Sequence, residues 1–213
     1  MAQREGEGRS LKTQIGVMGS AGGRIRKAVR ETAYAIGRAI ALHDCVLVTG
    51  ACPGLPHDAV KGCKEAGGIA AGISPALDLH EHIRRYRSPY REFDVLIYTG
   101  DGLMGREVTG IRSCDIVILL GGRSGTLGEF AIAYDEGKII GVVPETGGVA
   151  DHVDELVGII AKKTGATLIF DTNPDRLVAR LLKAFERRKR RPRPRRLMSF
   201  AQRSNGETQT DQV

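Results

Sequence analysis

Two rhythms of apolar residues alternate along this chain. Short runs are apolar throughout: TQIGVM (residues 13–18), CVLVTG (45–50), GGIAAGIS (67–74), DVLIYTG (94–100), DIVILLGG (115–122), KIIGVV (138–143) and ATLIF (166–170). Their length and their bounding glycines predict strands. Between them the apolar residues fall every three or four positions, as in Ile25, Val29, Ala33, Ile36 and Ile40, which traces one face of a helix. A second helix is predicted over residues 56–66, where Pro56 and Asp58 suit a first turn, and a short one over 107–113. Another runs from the glycine loop at 121–126 to Glu136, with Gly137 as its stop, and a further one surrounds Val153, Leu156, Val157 and Ile160. Asn173 and Pro174 begin a last helix whose apolar face is Leu177, Val178, Leu181, Leu182 and Phe185.

Strands that are apolar on both faces must be covered on both, and the intervening helices supply the cover. The predicted fold is α/β: a doubly wound, Rossmann-like parallel sheet in three layers, as a single domain. Such sheets bind ligands beyond the carboxyl ends of their strands, where the strand order reverses. Glycine-bearing loops at residues 19–23, 50–54, 100–105 and 121–125 all follow strands, so they are expected to gather on one rim.

Composition narrows this picture. A chain of 213 residues with 41% hydrophobic content can bury one medium core. We assign residues 1–12 to a lead, 13–186 to the domain and 187–213 to a basic tail. The formal charge of +7 belongs to that tail, which holds nine of the 32 Lys and Arg residues but two of the 25 acidic ones, leaving 23 of each in residues 1–186. Self-repulsion and the prolines of RRKRRPRPRR predict disorder there. The 187–196 run is a candidate contact for nucleic acid or an anionic surface, although no aromatic residues interleave its arginines as stacking platforms. No run of apolar residues is long enough for a membrane span, and MAQREGEGRS has no signal-peptide pattern, so a cytoplasmic protein is expected. Cys45, Cys52, Cys63 and Cys114 lack metal or disulfide spacing and read as ordinary thiols.

The chemistry must come from the rim. Glycines let backbone amides approach a phosphate, and a helix starting just after adds unpaired N–H groups and a positive dipole end. The candidate phosphate or nucleotide ligands are therefore Gly19, Ser20, Gly50, Gly54, Gly121, Gly122, Arg123, Ser124, Gly125 and Thr126. GSAGG lacks the GxGxxG spacing of dinucleotide sites, and GGRSGT lacks the lysine of a P-loop, so neither hydride transfer nor NTP hydrolysis is indicated. Thr126 and Glu129 have the spacing of a helix capping box, which offers Glu129 a purely structural role. His80 and His82 lack a third ligand at convincing spacing and read as a surface loop, with no metal site. Arg84, Arg85, Arg87 and Arg91 read as a solvated face or as added positive charge near the rim.

GVMGSAGG, TGACPGLPHDAVKGCKEAGG and GREVTGIRSCDIVILLGGRSGTLGE together resemble the Lonely Guy (LOG) family and its wider nucleotide-binding relatives, over residues 13–145. The family's PGGxGTxxE signature falls on residues 121–129, and its arginine, nine residues before the aspartate that opens the strand, falls on Arg106, nine before Asp115. Gly121 stands at the proline position and Arg123 at that of the second glycine. LOG-type members hydrolyse the N-glycosidic bond of nucleoside 5′-monophosphates. The resemblance implies a Rossmann-like homodimer, phosphate on the glycine loop, catalysis by Arg106 and Glu129, and no cofactor. A fixed carboxylate at Glu129 would stabilise the positive charge that builds on the ribose and orient or deprotonate water. Arg106 stays protonated and would bind phosphate, ribose hydroxyls or the departing base. The lysine-decarboxylase label carried by some relatives is disfavoured, since pyridoxal-phosphate chemistry needs a pocket lysine and none lies between Lys64 and Lys138. Other relatives with glycine-rich variants of the signature resemble molybdenum-cofactor carriers or nucleotide sensors. The alternative to a hydrolase is thus a non-catalytic binder of a nucleotide or phosphorylated cofactor.

Overall fold

β5 (Ile116–Leu120) shows how the pattern becomes a fold. All five of its residues are buried, each worth about 1.5–3 kcal/mol when removed from water. Ile116, Ile118 and Leu120 enter one apolar cluster, and Val117 and Leu119 enter another. The first cluster is completed by α1 (Lys27–Leu42), α2 (Leu55–Glu65) and α7 (Pro174–Arg190), the second by α4 (Gly102–Arg112), α5 (Ser124–Asp135) and α6 (Val153–Ile160). A short α3 (Leu79–Arg84) lies between β3 (Ile69–Ser74) and β4 (Val95–Tyr98). With β1 (Gln14–Gly19), β2 (Val46–Thr49), β6 (Ile139–Val143) and β7 (Thr167–Phe170), these strands form one sheet ordered β4-β3-β2-β1-β5-β6-β7. Every pairing is parallel, in three layers. The structure, a computed structural model, describes residues 11–190.

The strand order reverses between β1 and β5, the two strands paired from Ile15↔Ile116 to Gly19↔Leu120. The chain winds outward through β2, β3 and β4, then returns beside β1 and winds the other way. The crevice favoured for ligands in such sheets therefore lies above the ends of β1 and β5.

Four expectations require correction. α4 begins at Gly102 rather than at residue 107, because Gly100 and Gly102, both at φ +71°, turn the chain early. Arg106 is thus placed by a helix. Residues 80–82 are not a surface loop: Asp78 caps α3 by accepting the Glu81 amide at 2.7 Å, and His82 is fully buried. The His82 ring is held between the Ser74 hydroxyl (Nδ1, 2.8 Å) and the Pro89 carbonyl (Nε2, 3.0 Å), which is a structural use of histidine. Third, α7 continues through Arg190, four residues into the expected tail. Its amphipathic period persists, and Arg188 donates to the carbonyls of Gly137 and Gly165 and to Thr167 Oγ1. The remainder of the basic run, residues 191–213, lies outside the described residues. Fourth, β4 is an edge strand not covered on both faces, with Val95 and Ile97 about half exposed.

Asp171 fastens the end of β7 to α7, as the last helix needs a fixed start. Its carboxylate accepts from Arg176 Nε and Nη2 at 2.7 Å, from Arg180 Nη1 at 2.8 Å and from the Asn173 amide at 3.0 Å. Hydrogen bonding to Arg176 above all holds its carboxyl far below the usual carboxylate range. A depressed folded pKa stabilises the fold at pH values above the ordinary carboxylate pKa, and the contribution fades as pH falls below it. Asp171→Asn should therefore cost about 1–3 kcal/mol in urea unfolding at pH 7, with the deficit shrinking in acid.

Candidate functional site

At the reversal point the loops are tied by backbone hydrogen bonds, and Ser20 is the knot. Its hydroxyl oxygen accepts the Gly122 amide at 2.8 Å, and its carbonyl accepts the Leu55 amide at 2.9 Å, joining the loops after β1, β2 and β5. Thr146, after β6, accepts the Gly121 amide on Oγ1 at 2.8 Å. The carbonyls of Gly121 and Gly122 are taken by the amides of Ala150 and Val149, in a 3-10 turn over Gly148–His152. Gly121 and Gly122 adopt φ values of +58° and +102°, which side chains resist. Their N–H groups are already committed, and neither residue lines the cavity beside them.

That cavity, of about 360 Å³, lies within the usual range for small-molecule sites. Of the residues expected from sequence, Gly19, Ser20, Gly50, Arg106, Arg123, Ser124, Gly125, Thr126 and Glu129 line it. Gly54 does not; at φ +79° it brings the second loop against Ser20. Amide donors come instead from the first turn of α5, Ser124 to Thr126, which no side chain caps. This start also removes the capping-box role for Glu129, since Thr126 is the third residue of the helix, not its cap. Arg123 leans over the β1 loop, where a side-chain carbon on Gly22 would stand 3.7 Å from its Nη2. Of Arg84, Arg85, Arg87 and Arg91, none lines this cavity; Arg87 and Arg91 border a separate concavity with His57 and Glu92.

Gly50 has a role the sequence did not suggest. A Cβ there would stand 1.9 Å from Arg106 Nη1 and 2.4 Å from Cζ, so the guanidinium rests on the bare Cα. Arg106 is 7% exposed, and its Nε has no hydrogen-bond partner among the described residues. Buried polar groups are normally paired, so this orphan N–H sets Arg106 apart from the other buried polar side chains, and the residue also lines the cavity.

Two buried carboxyls share the cavity, Glu129 at 7% exposure and Glu107 at 5%. Neither forms an ion pair or side-chain hydrogen bond among the described residues. Burial pushes the Glu129 carboxyl up to about 8, with Arg106 opposing and Glu107 adding to the rise. Burial also raises Glu107, again opposed by Arg106. The Cys52 thiol is pushed up to about 11 by burial, so it stays neutral. Burial thus favours the protonated form of Glu129 near neutral pH, while Arg106 and Arg123 bring positive charge to the cavity lining. Sequence reading missed Glu107. Its signal is the pair Gly125 and Gly128, three apart on α5, which clears a place on that helix for a neighbour's side chain.

Fold and cavity together define a Rossmann-like protein with a small-molecule-sized cavity at the strand-order reversal. The chain belongs to the SLOG cluster4 family, whose model matches residues 12–178. An uncharacterised protein from Archaeoglobus fulgidus is 35% identical over 126 residues, 59% of this chain and 76% of its own. A molybdenum cofactor binding protein from Rippkaea orientalis is 28% identical at a TM-score of 0.67, covering 83% of this chain and 98% of the other. The molybdenum cofactor carrier protein from Chlamydomonas reinhardtii is 25% identical at a TM-score of 0.67, covering 83% and 99%. Among the described residues, no helix is long and apolar enough to cross a membrane.

The raised Glu129 carboxyl has a measurable signature. Its ordinary value is 4.5 and its folded value about 8, so between them the fold holds a proton that the unfolded chain has released. Stability therefore falls as pH rises through this window. Glu129→Gln should unfold at higher denaturant than the unsubstituted protein at pH 8, and the two curves should converge toward pH 4.5.

Proposed function

We propose that this protein binds a phosphorylated small molecule, a cofactor of molybdopterin type or a nucleotide, and holds it without converting it. The guanidinium of Arg106 carries this reading: it is buried, lines the cavity and forms no ion pair among the described residues, so it is a fixed cation suited to an anionic oxygen. The uncapped start of α5 and the guanidinium of Arg123 supply further donors suited to phosphate oxygens. Likeness to two molybdenum-cofactor proteins over most of both chains supports a carrier, whose task needs binding and shielding rather than a reaction. A protonated Glu129 also suits a binder, because stabilising a cationic ribose requires the ionised form.

One observation favours the LOG-type hydrolase as a second reading: Arg106 and Glu129 line the same cavity. Incubation with AMP and other nucleoside 5′-monophosphates, followed by chromatography for free base, separates the two. The binder releases no base, while phosphorylated ligands raise the melting temperature. Arg106→Met should weaken that binding about ten- to a hundredfold, the worth of a charge-assisted hydrogen bond. Base release that rises with pH toward a plateau above about 8, and that Glu129→Gln abolishes, would establish the hydrolase instead.

The homodimer implied by the LOG resemblance has a candidate face. Val95 and Ile97 on edge strand β4 are 50% and 48% exposed. Exposed apolar area of this kind favours association. Light scattering should give a dimer, and Ile97→Lys a monomer that retains the fold.

A further inference from the structure

Glu107 has no use in phosphate binding. A carboxyl beside a phosphate repels it, yet this one is 5% exposed, lines the cavity and has no donor among the described residues. Its place is prepared by the neighbouring helix. A Cβ on Gly128 would stand 2.4 Å from Oε2, and one on Gly125 would stand 3.3 Å from Oε1, so the carboxyl lies along α5 against bare backbone. Leu103 and Met104, one turn earlier on α4, line the same cavity and are largely exposed, an apolar surface against which a flat ring can stack. Arg123 and the start of α5 supply the cationic and amide donors of this cavity, whereas α4 brings a carboxylate acceptor and apolar side chains.

We propose that Glu107 reads the ring of the bound ligand, and that this ring is a 2-amino-4-oxopyrimidine, the edge shared by guanine and pterins. That edge presents a ring N–H and an exocyclic amino group side by side. The two oxygens of one carboxylate accept both, a pairing that neither adenine nor hypoxanthine reproduces in full. A buried acceptor built for two donors rejects a ring that supplies one, because the second oxygen is then left unpaired. The assignment rests on the binding reading above, with phosphate toward Arg123 and Arg106 and the ring toward Glu107.

The test is calorimetric titration of the full chain with GMP, IMP, AMP and neopterin monophosphate. IMP differs from GMP only in lacking the 2-amino group. GMP or the pterin phosphate should bind at least about tenfold tighter than IMP and AMP, the effect of one buried hydrogen bond. Tighter binding of the pterin phosphate identifies a pterin ligand, and tighter binding of GMP a guanine nucleotide. In Glu107→Gln the preference for GMP over IMP should fall to within about threefold while IMP affinity is kept, since the amide offers one acceptor and one donor. Equal affinity of the unsubstituted protein for GMP and IMP, with neopterin monophosphate no tighter, overturns the ring assignment and leaves phosphate binding standing. Absence of binding by all four overturns both. The comparison among ligands needs no variant, so it decides the matter even where Glu107→Gln does not fold.

Discussion

Everything at the rim depends on where the backbone of the β5 loop spends its hydrogen bonds. Gly121 and Gly122 have two amides and two carbonyls, and all four are bonded within the protein, to Thr146, Ser20, Ala150 and Val149. The loop is thereby fixed at four points, and the helix that follows starts in a defined place with its first amides uncapped. A helix start held in this way needs little reorganisation when an anion arrives, so the interaction with the dipole is largely retained. Ser20 is the least replaceable part, since its hydroxyl and carbonyl hold two loops at once.

The electrostatics follow from the same rigidity. Arg106 cannot relax toward a carboxylate, because its guanidinium is seated on Gly50, and it forms no ion pair with Glu107 or Glu129. Isolated in a poorly solvated place, the two carboxyls both have their pKa values raised. A phosphate entering beside Arg106 would oppose their ionisation further, whereas N–H donors from a ring would promote it. On the proposed reading, the cavity suits a ligand with an anionic end and a donor-bearing end. Glu129 is the group whose protonation state would distinguish a holder from a hydrolase.

Much of the fold was legible in the sequence because the strand signal is redundant. In IVILL every position is apolar, and burial on two faces follows without knowledge of neighbours. Helix α7 was equally readable at its start, where Asn173 Oδ1 accepts the Arg176 amide as a cap should. It was not readable at its end, where a basic run that looks like solvated tail is pinned by Arg188 to carbonyls more than 20 residues away in sequence. α4 was misjudged for a related reason: Leu103 and Met104 face outward, so the apolar period that announces a helix starts late. At the site, the family resemblance pointed to Arg106 and Glu129, which line one cavity, but the identity of a loop glycine does not say whether its amide faces a ligand or a neighbouring loop.

That last distinction explains how this chain departs from the signature it resembles. A proline at position 121 would have no N–H for Thr146, and its ring cannot take the φ of +58° found there. The glycine is therefore required by this loop's conformation, and the proline-bearing signature must be closed by different bonds. Position 123 changes in concert. With the loop tied down by Gly121, the next side chain outward is free to reach across to the β1 loop, and an arginine there lies beside Gly22 and Gly23. The two departures thus act together: one locks the β5 loop, the other places a second cation over the cavity mouth. On the binding reading proposed above, both would favour retention of an anion.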